Sequence, residues 1–158
     1  LSDEAVYIFS GKKPSHEKIE PKEDDEVYMA ILPEERKEYR EKNDKIIKVN
    51  SAEEFALWAR ITNNIFTGGY PDIHPVKCYI LYHDDVPVSV AAIMDNNGAA
   101  SLEFVGTVPE MRRKGFAKSV CEKAVSDAFA DGASIITLRS VNRSVANLYQ
   151  SIGFKMYG

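Results

Sequence analysis

The chain has 158 residues, 44% of them hydrophobic and 28% charged, with a formal net charge of −4. That suits one ordinary domain with a core of its own and argues against a general nucleic-acid binder, which carries a basic excess. Its apolar runs fall short of the roughly 18 residues of a membrane span, and Cys78 and Cys121 with the scattered His16, His74 and His83 form neither a disulfide framework nor a metal site.

The charge is unevenly spread. Residues 1–50 hold 10 Lys and Arg and 13 Asp and Glu, whereas residues 51–158 hold only 10 and 11. Residues 1–44 therefore read as a charged extension or partial domain and residues 45–158 as the main domain. The start, Leu1-Ser2-Asp3-Glu4, is acidic and lacks the apolar segment of a secretory leader, so a reducing cytoplasm is the expected compartment.

Residues 12–26 are almost wholly polar and read as a solvated loop between two short apolar stretches, Ala5–Phe9 and Val27–Leu32. Pro33 followed by Glu34 and Glu35 predicts a short charged helix reaching Asn43. Lys45–Val49 is strand-like. Ser51 with Glu54 forms a capping box, and Phe55, Trp58, Thr62, Ile65 and Phe66 then share one helical face. Gly68-Gly69 should stop that helix. Cys78–Tyr82, Pro87–Met94 and Ala100–Val105 are three strands, joined by a turn at His83-Asp84-Asp85 and by Asn97-Gly98, a strong hairpin signal. They predict an antiparallel meander.

The pattern then changes. Phe116, Val120, Ala124 and Ala128 recur every four residues, as do Ala117, Cys121, Val125 and Phe129, which predicts an amphipathic helix ending at Asp131-Gly132. Ser134–Leu138 is a short apolar run of the kind a parallel pairing favours. Val145, Leu148, Tyr149 and Ile152 mark a last helix closed by Gly153, and Phe154–Tyr157 begins another strand.

The chemistry concentrates between the third meander strand and the long helix, at Arg112-Arg113-Lys114-Gly115-Phe116-Ala117. Successive backbone N–H groups opening a helix bind anions, Gly115 and Ala117 allow close approach, and three cations add complementary charge; a diphosphate suits such a turn. A solvated basic turn is the plainer alternative. A phosphate-binding P-loop is excluded, because its Gly-x-x-x-x-Gly-Lys-Ser/Thr pattern is absent.

The context resolves the choice. This turn follows Glu103-Phe104-Val105-Gly106-Thr107-Val108-Pro109-Glu110-Met111. About 25 residues later comes Asn142-Arg143-Ser144-Val145-Ala146-Asn147-Leu148-Tyr149-Gln150-Ser151-Ile152-Gly153-Phe154. Together the two blocks closely resemble the GNAT superfamily of coenzyme A-dependent N-acetyltransferases. The first is similar to its Arg/Gln-x-x-Gly-x-Gly/Ala motif and the second to its Asn-x-x-Ala-x-x-Leu-Tyr-x-x-x-Gly-Phe block. Residues 99–157 carry the specific likeness, and residues 45–98 match the order of elements.

The resemblance implies an α/β (α+β) fold: a mixed central sheet with an antiparallel meander, two splayed central strands and flanking helices. It implies acetyl-CoA as cofactor, held by the strand edge Val105, Gly106 and Thr107, by the turn Arg112, Arg113, Lys114, Gly115, Phe116 and Ala117, and by Asn142 and Tyr149. Tyr149 would give its phenol proton to the departing thiolate; alternatively it is a core residue with a satisfied hydroxyl. Asn142 either meets the pantetheine arm or caps the last helix, and both can hold. Glu103 is a candidate general base, with a solvent-facing strand position as the alternative. Asp72 and His74 are weaker candidates for the acceptor pocket, and His83 reads as a turn residue.

The implied reaction is direct attack of a primary amine, on a small molecule or a peptide, within a ternary complex, with no nucleic-acid, membrane or metal partner and a monomeric or homodimeric chain. A non-catalytic acyl-CoA-binding regulatory domain on the same fold is the alternative function. Val145 stands where the family usually has Ala, and Thr107 where an apolar residue is usual. The family also runs on past Gly-Phe through two strands, whereas Phe154–Gly158 suffices for one short strand, so the closing strand is expected to be absent, lost by truncation or supplied by something else. Ala5–Phe9 or Val27–Leu32, from this chain or a second copy, could fill that edge.

Overall fold

A computed structural model describes residues 26–39, 44–66 and 77–157. Among the described residues seven strands form one mixed sheet: β1 Val27–Ile31, β2 Lys45–Lys48, β3 Lys77–His83, β4 Val86–Asn96, β5 Ala99–Thr107, β6 Ile135–Ser140 and β7 Lys155–Met156. Three α-helices among the described residues flank it: α1 Ala52–Ile65, α2 Phe116–Ala130 and α3 Arg143–Ile152. The strand order across the sheet is β2-β3-β4-β5-β6-β1-β7.

Local signals account for most of these elements. Ser51 Oγ accepts from Glu54 N–H at 3.1 Å, and the Glu54 carboxylate reaches back to Asn50 N–H at 2.8 Å, so the capping box opens α1 as expected. Asp84 and Asp85 (φ 49° and 63°), like Asn97 and Gly98 (φ 54° and 89°), sit in the left-handed region that two-residue hairpin turns demand, and β3-β4-β5 is an antiparallel meander. The charged helix expected from Pro33 to Asn43 is only a single 3-10 turn, Pro33–Glu35, after which residues 36–39 are irregular. The Glu35 carboxylate is spent on Leu32 N–H and the Lys155 ammonium, which ties that turn to β7.

Each face of the sheet has its own core. Trp58 and Ile61 of α1 pack on Cys78, Ile80, Val90 and Ala92. On the other face α2 and α3 cover Tyr79, Leu81, Ala91, Ile93, Leu102, Ile136 and Leu138. The fully buried Trp58 donates its indole N–H to Ala91 O at 3.2 Å, so its one polar group is satisfied. Among the described residues no helix is long and apolar enough to cross a membrane.

Val27–Ile31 settles where the missing edge comes from. Although composition grouped it with the charged extension, it is an interior strand, antiparallel to β6 on one side and to β7 on the other. Ala30 stands opposite Thr137 and also opposite Lys155. Its burial explains the apolar run Val-Tyr-Met-Ala-Ile, since Val27, Met29, Ala30 and Ile31 are all buried. Ala5–Phe9, the other candidate for this place, lies outside the described residues.

Candidate functional site

The sheet opens at its centre. β5 and β6 pair in parallel only at Ala99–Ser101 with Ile135–Thr137. Beyond that point β5 stays on β4 as far as Thr107, and β6 stays on β1 as far as Ser140. Each strand keeps its outer partner while the inner edges separate, leaving a cleft lined by backbone polar groups.

A bulge shapes the β5 side. Glu103 pairs with Ala92 and Gly106 with Val90, so two residues, Phe104 and Val105, oppose Ala91 alone. Phe104 takes φ 51° to do so. Leu102 and Val105 therefore both pack on the α2 side, which strict alternation forbids. Phe104 turns instead to the α1 side, edge-on to Trp58 and Phe66 at centroid distances of 5.7 and 6.4 Å. The shift also lays Gly106 against the end of α1. A Cβ there would lie 2.7 Å from Ile65 Cγ2 and 3.3 Å from Phe66 Cζ, so this close approach needs glycine.

The edge groups follow from pairing. Val108 N–H bonds to Val88 O at 2.9 Å, so neighbouring Thr107 turns its own N–H and C=O to the open side. Thr107 O is there met by Arg112 Nε at 3.1 Å. The Thr107 side chain is buried and shares a hydrogen bond with Ser89 Oγ at 3.0 Å, which explains a polar residue at this position.

At the mouth of the cleft lies the basic turn. Arg112, Arg113, Lys114 and Gly115 are exposed, Phe116 is buried and Ala117 half-buried. Arg113 (φ 63°) and Gly115 (φ 84°) are both left-handed, and no side chain caps α2. The first helical N–H groups are left without an intrahelical acceptor, and a Cβ on Gly115 would meet nothing within 4 Å. Free donors, open space and the positive end of a helix make a cradle for an anion.

Asn142 caps α3: its Oδ1 accepts from Val145 N–H at 3.0 Å, and its carbonyl accepts from Ser140 Oγ at 2.9 Å. Tyr149 is buried, with its ring edge-on to Phe154 at 6.1 Å. Burial first, then the Cys121 and Glu103 charges, push its phenol well above the ordinary value, so it stays protonated. Its hydroxyl has no hydrogen-bond partner among the described residues. Glu103 is half-buried on β5, beside the bulge.

Two features escape sequence reasoning. The bulge at Phe104 leaves no composition signal beyond the neighbouring Gly106. His83, expected in a turn, is the last residue of β3; its ring packs on Phe116 at 4.8 Å and its Nδ1 lies 3.1 Å from Asp44. Asp72 and His74 lie outside the described residues. An open pocket of about 600 Å³ is lined by Arg143, Ser144, Ala146, Asn147 and Gln150 of α3 and Met156 of β7, none of them an expected site residue.

Comparison with known proteins adds to this geometry. The family model described as "Acetyltransferase (GNAT) family" matches residues 28–154. No curated protein sequence gives a significant match. A GCN5-related N-acetyltransferase from Kribbella flavida is 23% identical, with a TM-score of 0.67 over 82% of this chain and 53% of that one. A GCN5-related N-acetyltransferase from Sphaerobacter thermophilus is 15% identical, with a TM-score of 0.66 over 84% and 48%. An acetyltransferase from Bacillus subtilis, solved in complex with CoA, is 16% identical, with a TM-score of 0.62 over 73% and 79%. At these identities the likeness is one of fold, and the chain spans about half the length of the first two.

Proposed function

Since the chain belongs to the GNAT acetyltransferase family, we propose that it transfers the acetyl group of acetyl-CoA to a primary amine by direct attack in a ternary complex. The observation that carries this reading is the cleft that opens beyond Ser101 and Thr137 with an uncapped, cationic helix start at its mouth.

In this reading the Arg112–Ala117 amides hold the diphosphate, and Arg113 and Lys114 add attraction without setting geometry. The Thr107 edge pairs with the amides of the pantetheine arm as an added strand would. Val105 N–H, one turn of alternation away, polarises the thioester carbonyl where negative charge develops. Asn142 holds the start of α3 beside the arm.

The amine nitrogen attacks the thioester carbon, the C–S bond breaks and the thiolate departs. Glu103, directly or through water, takes the proton that the amine must lose. Tyr149 donates to the leaving sulfur. Its burial raises the phenol well above a thiol's ordinary value of about 8.5, so it stabilises the thiolate chiefly as a hydrogen-bond donor. The acceptor is a small-molecule or peptide amine.

Two measurements test the proposal. Calorimetry with coenzyme A should show binding that the double variant Arg112→Glu, Gly115→Asp abolishes; equal affinity in the variant overturns the site. A panel of amines assayed with acetyl-CoA for free thiol release should yield at least one acceptor, and a chain that binds coenzyme A but turns over none of them is a binding domain.

A further inference from the structure

The Arg112–Ala117 turn needs something to hold its amides in place, because the turn itself supplies little. Arg113 and Gly115 are both left-handed, no side chain caps α2, and the four residues 112–115 are exposed. Between Pro109 and Lys118 only Phe116 is buried. Arg112, through Thr107 O, and Met111, against the core, hold the approach to the turn, while the amides that open α2 are set at one buried point, its first residue, Phe116.

That point rests on His83. The imidazole packs on the Phe116 ring at a centroid distance of 4.8 Å, inclined by 49°. The histidine is in turn held from outside. Its Nδ1 lies 3.1 Å from Asp44 Oδ1, and a carboxylate can only accept, so Nδ1 is the donor. Its Nε2 is 3.5 Å from Asp84 Oδ2, across the β3–β4 turn. Asp44 precedes β2, His83 ends β3 and Phe116 begins α2, so three segments far apart in sequence meet beneath the amides.

We infer that His83, fixed by Asp44, is a positioning residue for the diphosphate cradle. It acts through Phe116 and touches neither cofactor nor acceptor. A ring lost at position 83 lets Phe116 settle, and the first amides of α2 tilt away from the place where an anion is bound. The inference rests on the coenzyme A reading of the cleft and adds to it a residue outside both sequence blocks.

The test is calorimetry of the full chain with coenzyme A, and with inorganic pyrophosphate as a competitor that reports on the cradle alone. His83→Ala should weaken both by about tenfold, which corresponds to about 1.4 kcal/mol of binding free energy. His83→Phe, which restores a ring against Phe116, should recover most of the loss, and Asp44→Ala should fall between. Thermal melts check that each variant folds. Should His83→Ala fail to fold, Asp44→Ala, which leaves the rings in place, carries the test: weakened binding supports the inference and unchanged binding overturns it. Equal affinity in His83→Ala and the parent chain overturns it, as does a loss that His83→Phe shares in full, or one seen with coenzyme A but not pyrophosphate. A parent chain that binds no coenzyme A overturns the proposed function itself, whereas normal parent binding with indifferent variants overturns this inference alone.

Discussion

Arg112 Nε donates to Thr107 O at 3.1 Å, so a side chain of the basic turn grips the open edge of the strand before it. The basic turn is therefore tied back to the open edge of β5 through one guanidinium, and the three cations of the turn are not equivalent. Arg113 and Lys114 offer charge, while Arg112 fixes geometry. Arg113→Ala should weaken coenzyme A binding in a way that raised salt largely erases, because exposed charges are screened. Arg112→Ala should leave a deficit that persists at high salt. Salt titrations of affinity for the two variants check the difference.

Gly106→Ala should distort the cleft. The new methyl would sit 2.7 Å from Ile65 Cγ2, so the Ile65 side chain or the end of α1 must shift. Overpacking of this kind costs about 1–3 kcal/mol. Urea unfolding should register that loss, and coenzyme A affinity should fall with it, since Gly106 lies between the edge residues Val105 and Thr107.

Tyr149→Phe should lower turnover by about a hundredfold, the scale of a lost proton donor, and leave coenzyme A affinity intact. Because burial holds the phenol above its ordinary value of 10.0, the parent chain should show no alkaline loss of turnover from this group below pH 10. A rate–pH profile at saturating acetyl-CoA checks both points.

The buried thiols and phenols also predict how stability depends on pH. Burial pushes the Cys78 thiol up to about 12 from 9.0, and raises Cys121, Tyr79 and Tyr149 as well. Raised values mean that the folded chain keeps protons the unfolded chain releases. The contribution is whole below pH 9 and falls as pH rises beyond it. Urea midpoints should decline above pH 9, and Cys121→Ala should flatten that decline.

The acid side runs the other way. The Lys155 ammonium, aided by Leu32 N–H, holds the Glu35 carboxyl below its ordinary value of 4.5. This contribution is present above pH 4.5 and is lost as pH falls through the lowered value. Glu35→Gln should shrink the acid dependence of the unfolding midpoint and loosen β7, which amide exchange at Tyr157, whose N–H bonds to Tyr28 O at 2.8 Å, can follow.

The legible parts of this molecule were those with short-range causes. The Ser51–Glu54 cap, the Asn97-Gly98 hairpin, the four-residue recurrence of α2 and the Asn142 cap of α3 each depend on residues within a few positions of one another. The two family blocks pointed to the cleft for the same reason. Pairings between distant segments left no local trace. His83 looked like a turn residue because Phe116 and Asp44, its partners in the fold, lie 33 and 39 positions away in opposite directions. The Phe104 bulge was hidden because the contact it accommodates, the end of α1 against Gly106, joins segments far apart in sequence. Charge placed Val27–Ile31 with the extension, yet its own burial pattern belongs to a sheet interior.

The interior place of β1 also sets an order of events when the chain folds. Val27–Ile31 pairs with β6 and β7, both of which lie far along the chain from it. The loop that must close to join β1 to β6 spans about a hundred residues, a long-range contact of the kind that slows folding. Until then an apolar segment waits without a partner, open to association with other chains. The surrounding run Glu23-Asp24-Asp25-Glu26 on one side and Glu34-Glu35 on the other supplies the like charge that keeps such segments apart during the wait. The charge on either side of Val27–Ile31 thus has a use before the cleft exists: it guards a strand of the sheet interior.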